Sequence, residues 1–408
     1  MTDRRLPDRR DLRDLLRPAP ISDDPVGRRL AKAHSIGDLR KIAARRVPRA
    51  VFDYVDGGAG DEVTLARAQR AFARVRFLPH VLRDVSEVSL STTILGEQAS
   101  MPLVLAPTGF TRMMHHTGER AVAAAAAREG VPYALSTVGT TSPEDLMAVE
   151  PAGTRWFQLY LWRDRGRAKA LVDRVAAAGY RTLVLTVDVP VAGDRRRDVR
   201  NGLTIPPSLR LRTFVDGAMH PAWWFDFLTT DPIRFAMLTE AGETLQHVIG
   251  RMFDPSVTLD DVAWLRDMWK GSLVVKGVMR PDDAEALVSL GADGLVVSNH
   301  GGRQLDRAVA PIEVMPSILD AVGGGAEVLV DGGVRSGADI VAAVGLGANG
   351  VLAGRAYLYG LMAGGERGVA RALAILHDDA VRTMQLLGAR ALTDLDASMV
   401  ELQAERSP

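Results

Sequence analysis

The chain has 408 residues, 47% of them hydrophobic, which is enough to bury a large core in one large domain or in two or three small ones. Its formal net charge at pH 7 is zero, so the composition does not predict a nucleic-acid partner. It contains no cysteine, which excludes disulfides and thiolate metal sites, and we expect no metal centre. No secretion-signal pattern and no run of about 18 apolar residues occurs, so we expect a cytoplasmic protein without a membrane-spanning helix.

The N-terminal region is basic, because residues 1–50 contain 14 Lys or Arg against 7 Asp. This arm is interpreted as a solvated extension or as a contact with anionic lipid. Apolar spacing predicts one helix over Ile36–Tyr54, and alternation over Val85–Ile94 predicts a hairpin that covers the bottom of the following domain. We therefore assign residues 1–99 to an N-terminal extension.

From about residue 100, short apolar runs alternate with Ala-rich helical segments, which is the pattern of β/α units around a parallel sheet. The predicted strands are Pro102–Ala106, Tyr133–Ser136, Arg155–Gln158, Thr182–Thr186, Leu273–Val275, Gly294–Val297, Glu327–Val330 and Val351–Ala353. The helices predicted between them include Gly118–Glu129, Arg165–Ala178, Pro281–Leu290, Pro311–Val322 and Ser336–Leu346. Eight such units favour an α/β fold, a closed (β/α)8 TIM barrel over residues 100–390, rather than an open sheet, with a tail over 391–408.

The connection after the fourth strand, residues 189–257, is far longer than such loops usually are. It contains His220–Leu228, where large aromatic side chains cluster although only 5% of the chain is aromatic. Three interpretations of this insertion stay open. It forms a helical subdomain with its own small core, an active-site lid, or a membrane contact through Trp223, Trp224, Phe225 and Phe227.

Polar residues stand where the apolar runs of the first six strands stop. Because the C-terminal ends of barrel strands form one mouth, these residues are predicted to surround a single large, planar, hydrogen-bonding ligand. They are Pro107-Thr108-Gly109, Ser136, Gln158 with Tyr160, Thr186 with Asp188, Lys276, and Ser298 with His300. Lys276 is one of only five lysines, so its place at the end of an apolar strand favours a site residue over a surface lysine.

The last two strands end in glycine-rich turns that carry arginine, Asp331–Arg335 and Gly354-Arg355. Free backbone amides, a helix N-terminus and an arginine fork together bind phosphate. This phosphate cradle favours FMN as the cofactor. Lys276 favours FMN as well, because its ammonium group would stabilise the anionic reduced form of a flavin. No GxGxxG pattern lies between a predicted strand and the helix that follows it, which argues against a nicotinamide site.

His300 and Arg303 lie three residues apart on the glycine-bearing turn Ser298–Asp306. Such a turn lets a base and a fixed cation face one small substrate, so that the histidine takes a proton and the arginine holds an anion. Taken alone, a His-x-x-Arg pair is more often a loop histidine beside a surface arginine. The converging strand ends favour the catalytic interpretation here.

These motifs together resemble the FMN-dependent L-2-hydroxy acid dehydrogenase and oxidase family, which includes glycolate oxidase, L-lactate dehydrogenase and mandelate dehydrogenase. The resemblance runs in order from about residue 36 to 390, and it is nearest to the actinobacterial, respiratory type of L-lactate dehydrogenase. The motifs that carry it are Phe52-Asp53-Tyr54, Gly57-Gly58-Ala59, Ala106–Gly109, Phe157–Tyr160, Leu185–Asp188, Lys276–Val278, Ser298–Asp306 and Asp331–Arg335.

The resemblance implies a role for each site residue. The catalytic and substrate-binding residues would be Tyr54, Arg195 and Arg303 for the carboxylate, Tyr160 for the hydroxyl, His300 as the base and Asp188 as its partner. The residues that would contact the flavin ring and ribityl chain are Pro107, Thr108, Gly109, Ser136, Gln158, Thr186, Lys276 and Ser298. Those that would hold the ribityl chain and phosphate are Asp331, Gly333, Arg335, Gly354 and Arg355.

Two positions narrow the expected activity. Val138 stands where glycolate oxidases carry tryptophan, so we expect a wider pocket, and Gly109 stands where many family oxidases carry alanine, which favours a dehydrogenase that uses a quinone. The expected reaction is L-lactate to pyruvate, by a homotetramer in the cytoplasm or peripheral on the inner face of the cell membrane. The alternatives are an oxidase or monooxygenase of a larger, mandelate-like 2-hydroxy acid, and a flavin-binding barrel without catalysis. The sequence does not distinguish hydride transfer from a carbanion, nor does it fix the preferred substrate, the acceptor or the number of subunits.

Overall fold

The computed structural model describes Asp8 and residues 23–202, 217–237 and 253–404. Parts of the basic arm, of the predicted insertion and of the predicted tail therefore lie outside the described residues.

Within the described residues, the N-terminal region consists of helices, one short strand and a hairpin. The helices are α1 Pro25–Leu30, α2 Ile36–Ala43, α3 Arg49–Asp56 and α4 Val63–Phe72, and the strands are β1 Val75–Phe77, β2 Thr92–Ile94 and β3 Glu97–Ala99. The single helix predicted over Ile36–Tyr54 is wrong, because α2 and α3 are separate. Pro48 precedes α3 with an extended ψ of 148°. Proline has no N–H to donate and it disfavours helical geometry in the residue before it, so the helix breaks there.

Eight parallel strands form the centre of the molecule. They are β4 Leu103–Leu105, β5 Tyr133–Ser136, β6 Arg155–Leu159, β7 Thr182–Thr186, β8 Ser272–Val278, β9 Gly294–Val297, β10 Glu327–Val330 and β11 Gly350–Ala353. They pair in chain order and close where β11 pairs with β4. The predicted (β/α)8 TIM barrel is confirmed, and β8 is the strand that extends furthest beyond its prediction.

The barrel interior is packed with side chains. One inward-facing residue from each strand joins a buried cluster made of Val104, Ala134, Trp156, Val184, Val274, Val296, Leu329 and Leu352. Ile94 and Ala99 of the hairpin pack against this cluster. In addition, Trp156 Nε1 donates a hydrogen bond to Glu97 Oε2 at 2.9 Å. The hairpin therefore closes the end of the barrel at which the strands begin.

This hairpin starts later than predicted. Its strands flank the two-residue turn Leu95-Gly96, where both residues have positive φ, 50° and 78°. Such a turn fits the right-handed twist of a two-stranded ribbon. Alternation over Val85–Ile94 did not locate the turn, and among those residues only Thr92–Ile94 form a strand.

Helices surround the barrel. Those that follow the hairpin are α5 Thr111–Met114, α6 Gly118–Arg128, α7 Pro143–Met147, α8 Arg165–Ala177, α9 Arg196–Arg200, α10 Pro221–Thr229, α11 Leu259–Met268, α12 Pro281–Ser289, α13 Pro311–Val322, α14 Gly337–Gly345 and α15 Arg355–Leu387. The five helices predicted between the barrel strands agree with the structure to within one residue at each end. The strand β12 Val400–Leu402 pairs with β1, so the two end regions of the chain meet in a small antiparallel sheet. No helix within the described ranges has both the length and the apolar character needed to cross a bilayer.

Candidate active site

A cavity of about 260 Å³ lies at the C-terminal ends of the barrel strands. All of the predicted site residues except Asp188 and Ser298 line it. The lining residues that were predicted are Tyr54, Pro107, Thr108, Gly109, Ser136, Gln158, Tyr160, Thr186, Arg195, Lys276, His300, Arg303, Asp331, Gly333, Arg335, Gly354 and Arg355. Asp188 and Ser298 lie one layer behind the wall, in hydrogen-bond contact with His300 and Lys276 respectively.

Lys276 is a buried cation in the cavity wall, with 4% of its surface exposed. Its Nζ lies 2.9 Å from Asp331 Oδ2 and donates to Ser298 Oγ at 2.7 Å. Burial lowers the pKa of Lys276, but the carboxylates of Asp331 and Asp188 outweigh burial, so the pKa lies above its usual value. A register shift follows Lys276 in β8, and the next residue, Gly277, has a φ of 112°. This bulge brings the strand end close to Asp188, because a Cβ on Gly277 would lie 2.6 Å from Asp188 Cβ.

The turn after β9 presents His300 to the cavity. Three consecutive residues, His300, Gly301 and Gly302, have left-handed φ values of 57°, 61° and 74°. Two side chains hold this conformation, since Ser298 Oγ accepts from His300 N and Asn299 Oδ1 accepts from Gly302 N, each at 3.1 Å. A non-glycine residue in this region costs on the order of 1 kcal/mol, so the surrounding bonds offset a strained histidine.

Asp188 supports the imidazole from behind. His300 Nδ1 lies 2.9 Å from Asp188 Oδ1. Burial lowers the pKa of His300 below its usual value, although the carboxylate opposes that effect. Burial raises the pKa of Asp188, but at the acidic pH where this carboxyl group titrates, protonated His300 and Lys276 outweigh burial and leave the pKa below its usual value. At neutral pH the pair is therefore a neutral imidazole held by an ionised carboxylate, which is the arrangement a general base requires.

Two arginines stand beside this pair. Arg303 donates through Nη1 to the carbonyls of Tyr54 and Gly57, and its Cζ lies 5.0 Å from the centre of the Tyr54 ring. Burial, and then the nearby charge of Arg195, lower the pKa of Arg303 to about 10, so it stays charged at neutral pH. Arg195 Nη2 donates to Gln304 Oε1 at 3.4 Å, while its buried Nε has no hydrogen-bond partner among the described residues. The carboxylate of Asp198 acts on both arginines and offsets part of their charge. Two half-buried guanidinium groups still carry more positive charge than it supplies, so they attract an anion.

Several polar atoms of the cavity wall are buried without a partner. Within the described part of the chain, these include Gln158 Nε2, Thr186 Oγ1 and Asp331 Oδ1. Each such atom costs about 1–3 kcal/mol unless a ligand supplies its hydrogen bond. An amide, a hydroxyl, a carboxylate and the nearby ammonium group of Lys276 match the ring edge and ribityl hydroxyls of FMN. The residues present therefore fit this cofactor.

The glycine-rich turns form the opposite end of the cavity. Gly333 has a φ of 108°, and a Cβ there would lie 2.6 Å from the carbonyl oxygen of Ala68, so only glycine fits. The guanidinium of Arg335 lies over the ring of Tyr359, 5.2 Å from its centre. Gly354 precedes α15 and lines the cavity with Arg335.

Arg355 has a different environment from Arg335. It donates to three backbone carbonyls, each at 2.8 Å: Nε to Val55, Nη1 to Gly301 and Nη2 to Gly57. Burial, and then the charges of Arg335 and Arg303, lower the pKa of Arg355 to about 9. Arg355 therefore ties the N-terminal region to the His300 turn, and one N–H on each Nη remains for a ligand.

An apolar wall completes the cavity, and sequence reasoning missed most of it. Phe110, Phe235 and Phe253 line the cavity beside Val138, the position noted in the sequence. The rings of Phe110 and Phe235 lie 4.3 Å apart, and Phe253 meets Tyr160 edge to face at 6.0 Å. Phe235 and Phe253 belong to the predicted insertion, where no periodicity marks them as site residues.

The aromatic cluster of the insertion forms α10. Trp223 Nε1 donates to the carbonyl of Met113 at 2.9 Å, and the Trp223 and Phe227 rings stack 5.0 Å apart. The outward face instead exposes Phe225 (67%) and Leu228 (70%). This helix therefore packs part of its aromatic surface and leaves another part uncovered within the described structure.

Known proteins are similar to this chain over nearly its whole length. Residues 43–402 match the family described as FMN-dependent dehydrogenase. The chain is 55% identical over 392 residues to a protein of Mycobacterium tuberculosis provisionally named L-lactate dehydrogenase, covering 96% of this chain and 95% of that one. It is 45% identical to the L-lactate dehydrogenase of Caulobacter vibrioides, covering 92% of this chain and 98% of the relative. A solved structure of the monotopic membrane protein (S)-mandelate dehydrogenase is similar with a TM-score of 0.88 and 39% identity, covering 91% of this chain and all of the other.

The family match, the high identity over nearly the whole chain and the fit of the cavity to its cofactor agree. The chain belongs to the FMN-dependent dehydrogenase family and is an FMN-dependent oxidoreductase.

Proposed function

We propose that this enzyme oxidises an L-2-hydroxy acid, with L-lactate to pyruvate as the main reaction. The observation that carries the proposal is the meeting of a neutral, carboxylate-held His300 with the guanidinium groups of Arg303 and Arg195 in one buried cavity. A 2-hydroxy acid offers an anion for the arginines and a proton for the histidine. The L-lactate dehydrogenases among the relatives support lactate as the substrate.

Substrate binding would use the cation pair and two tyrosines. Arg303 and Arg195 would hold the carboxylate, and Tyr54 would add a hydrogen bond to it. Burial, and then the charge of Asp188, raise the pKa of Tyr160 well above its usual value, so Tyr160 keeps its proton and can donate to the substrate hydroxyl. Holding both groups fixes the reacting carbon between the base and the cofactor.

The chemical step would use His300 as the base. Its Nδ1 faces Asp188, so Nε2 is the nitrogen that can accept a proton from the substrate. Asp188 would hold the ring in place and stabilise the imidazolium that forms. FMN, when bound, supplies the acceptor for the two electrons that leave the substrate.

The cofactor would be held along the whole mouth of the barrel. The residues that would contact its ring and ribityl chain are Pro107, Thr108, Gly109, Ser136, Gln158, Thr186 and Lys276, with Ser298 supporting Lys276. Asp331, Gly333, Arg335, Gly354 and Arg355 would hold the ribityl chain and phosphate. Lys276 would favour negative charge on the nearby ring edge, because its pKa lies above the usual value.

The proposed electron acceptor is a quinone, reached from the inner face of the cell membrane. The exposed Phe225 and Leu228 on α10 support a membrane contact. A monotopic membrane enzyme among the similar structures supports it as well. Replacing both residues by serine should reduce liposome binding and quinone reduction but spare a soluble artificial acceptor. If both acceptors respond equally, α10 serves the fold or covers the site.

A second candidate is an oxidase of a larger, mandelate-like acid. The apolar wall of Phe110, Phe235 and Phe253 favours it, because such a wall can receive a bulky side chain. Mandelate oxidases and an L-lactate oxidase of Nostoc are also similar to this chain. Anaerobic flavin reduction across a panel of L-2-hydroxy acids, followed by reoxidation with oxygen or with a quinone, distinguishes the two. The homotetramer stays a prediction, which light scattering can test.

A further inference from the structure

Gln304 lies between the two segments that carry the proposed catalytic groups. It directly follows Arg303 on the His300 turn and faces the segment Asp188–Arg195, which we call the 188–195 loop. Its amide nitrogen Nε2 donates to the carbonyl of Asp188 at 3.3 Å and to that of Val191 at 2.8 Å.

The amide oxygen of Gln304 bonds to the same loop. Gln304 Oε1 accepts from Gly193 N at 3.2 Å and from Arg195 Nη2 at 3.4 Å. One half-buried side chain thus makes four hydrogen bonds to a loop more than a hundred residues away in sequence. A donor and an acceptor on one planar group are both needed, and only a primary amide supplies them at this length.

The backbone of the loop also lies directly on the turn. A Cβ on Gly193 would lie 2.2 Å from the carbonyl oxygen of Arg303 and 2.9 Å from Gln304 Cα. The loop and the turn therefore touch without an intervening side chain, and the Gln304 amide closes the contact.

We propose that Gln304 is a positioning residue that fixes the carboxylate-binding and proton-accepting groups relative to each other, an inference that rests on the proposed function. Through Arg195 it sets the second guanidinium beside Arg303. Through the backbone of Asp188 it sets the carboxylate that holds His300. Arg195 Nε has no hydrogen-bond partner among the described residues, so beside the charge of Asp198 it is the bond to Gln304 Oε1 that orients this guanidinium group.

Two substitutions of Gln304 separate positioning from general stability. Gln304→Met keeps the length and removes all four bonds, so oxalate should bind about tenfold more weakly and KM for L-lactate should rise by a similar factor. Gln304→Glu loses the two donated bonds and sets a carboxylate against Arg195. It should bind oxalate more weakly still at pH 8, and affinity should recover toward the Gln304→Met level as the pH falls and the new carboxyl protonates.

The measurement is titration of the FMN-loaded enzyme with oxalate, followed by flavin absorbance, at several pH values. The matched control is Gln385→Met. Gln385 lies in the last turn of α15, and its Nε2 donates one hydrogen bond to the Val85 carbonyl at 3.3 Å. Wild-type affinity in both Gln304 variants, or equal losses in the control, would overturn the proposal. A loss of oxalate affinity in Gln304→Glu that is the same at every pH would also overturn it, because Gln304 would then serve only the local structure.

A second readout does not depend on the reaction. Hydrogen exchange at the Gly193 amide should become at least about tenfold faster in Gln304→Met, because that N–H loses its acceptor, and should be unchanged in Gln385→Met. Unchanged exchange refutes the contact itself. If exchange rises as expected but the wild-type enzyme neither binds oxalate nor oxidises any 2-hydroxy acid, the positioning contact stands and the proposed function fails.

Discussion

Replacing Asp188 by asparagine tests the assignment of His300 as the base. The substitution keeps the shape of the side chain but removes the charge that lies 2.9 Å from His300 Nδ1. Two unit charges about 4 Å apart interact by about 4 kcal/mol at an effective dielectric constant of about 20. If most of this stabilises the imidazolium in the transition state, the rate of flavin reduction should fall by about 10²- to 10³-fold.

The pH profile of the Asp188→Asn enzyme should shift in one defined direction. The carboxylate is the main group that holds the pKa of His300 up against burial, while Lys276 and Arg195 push it down. Without the carboxylate the pKa falls further, so the acid limb of kcat/KM should move to lower pH while the plateau drops. The assay is anaerobic stopped-flow reduction of the bound flavin by L-lactate between about pH 5 and 9.

A suitable control for this experiment is Asp394→Asn. Asp394 accepts from Arg390 N at 2.8 Å in the C-terminal region, so its loss should leave both the rate and the pH profile unchanged. An Asp188→Asn enzyme with full FMN content that reduces at the wild-type rate would refute the role of the pair. A limb that moves to higher pH would mean that another group titrates.

Other substitutions test single parts of the site. His300→Ala should keep FMN bound but slow its reduction by L-lactate by at least about 10²-fold, and retained turnover would remove the histidine from the base role. Arg303→Lys should raise KM and lower kcat together, because a lysine cannot donate to the Tyr54 and Gly57 carbonyls and also bind both oxygens of a carboxylate. Unchanged kinetics would mean that the substrate carboxylate binds elsewhere. Gly109→Ala should weaken FMN binding measured by flavin fluorescence, since its Cβ would lie 2.4 Å from Val138 Cγ2, and adding Val138→Ala should restore it.

The barrel was predictable because its strands are buried on both sides. Each inward position, such as Val184 or Leu352, sits in an unbroken apolar run, and glycine or polar residues mark where the run stops. The same stops place Gln158 and Lys276 at the mouth, so most of the site followed from the fold. The break before α3 was also readable, since Pro48 is visible in the sequence.

The parts that escaped prediction depend on contacts between distant segments. Phe235 and Phe253 reach the cavity from the insertion, and no local pattern says that they do. Arg355 was predicted as a phosphate ligand, but its bonds to the carbonyls of Val55 and Gly57 arise because the N-terminal region folds over the barrel mouth. The role of Gln304 was likewise not predictable from the sequence, because its four hydrogen bonds depend on where the 188–195 loop lies.

The charges that line the cavity favour two anionic ligands over one. Among its lining residues the acidic one is Asp331, and Lys276 already pairs with it. The remaining cations form two groups, Arg195 with Arg303 beside the histidine, and Arg335 with Arg355 at the glycine-rich turns. Enclosing cations in the protein is costly, as the lowered pKa values of Arg303 and Arg355 reflect, and the nearby carboxylates of Asp198 and Asp56 oppose that effect only in part. One anion cannot neutralise both groups, so this distribution favours a phosphate at one end and a separate carboxylate at the other, which a flavin mononucleotide and a 2-hydroxy acid supply together.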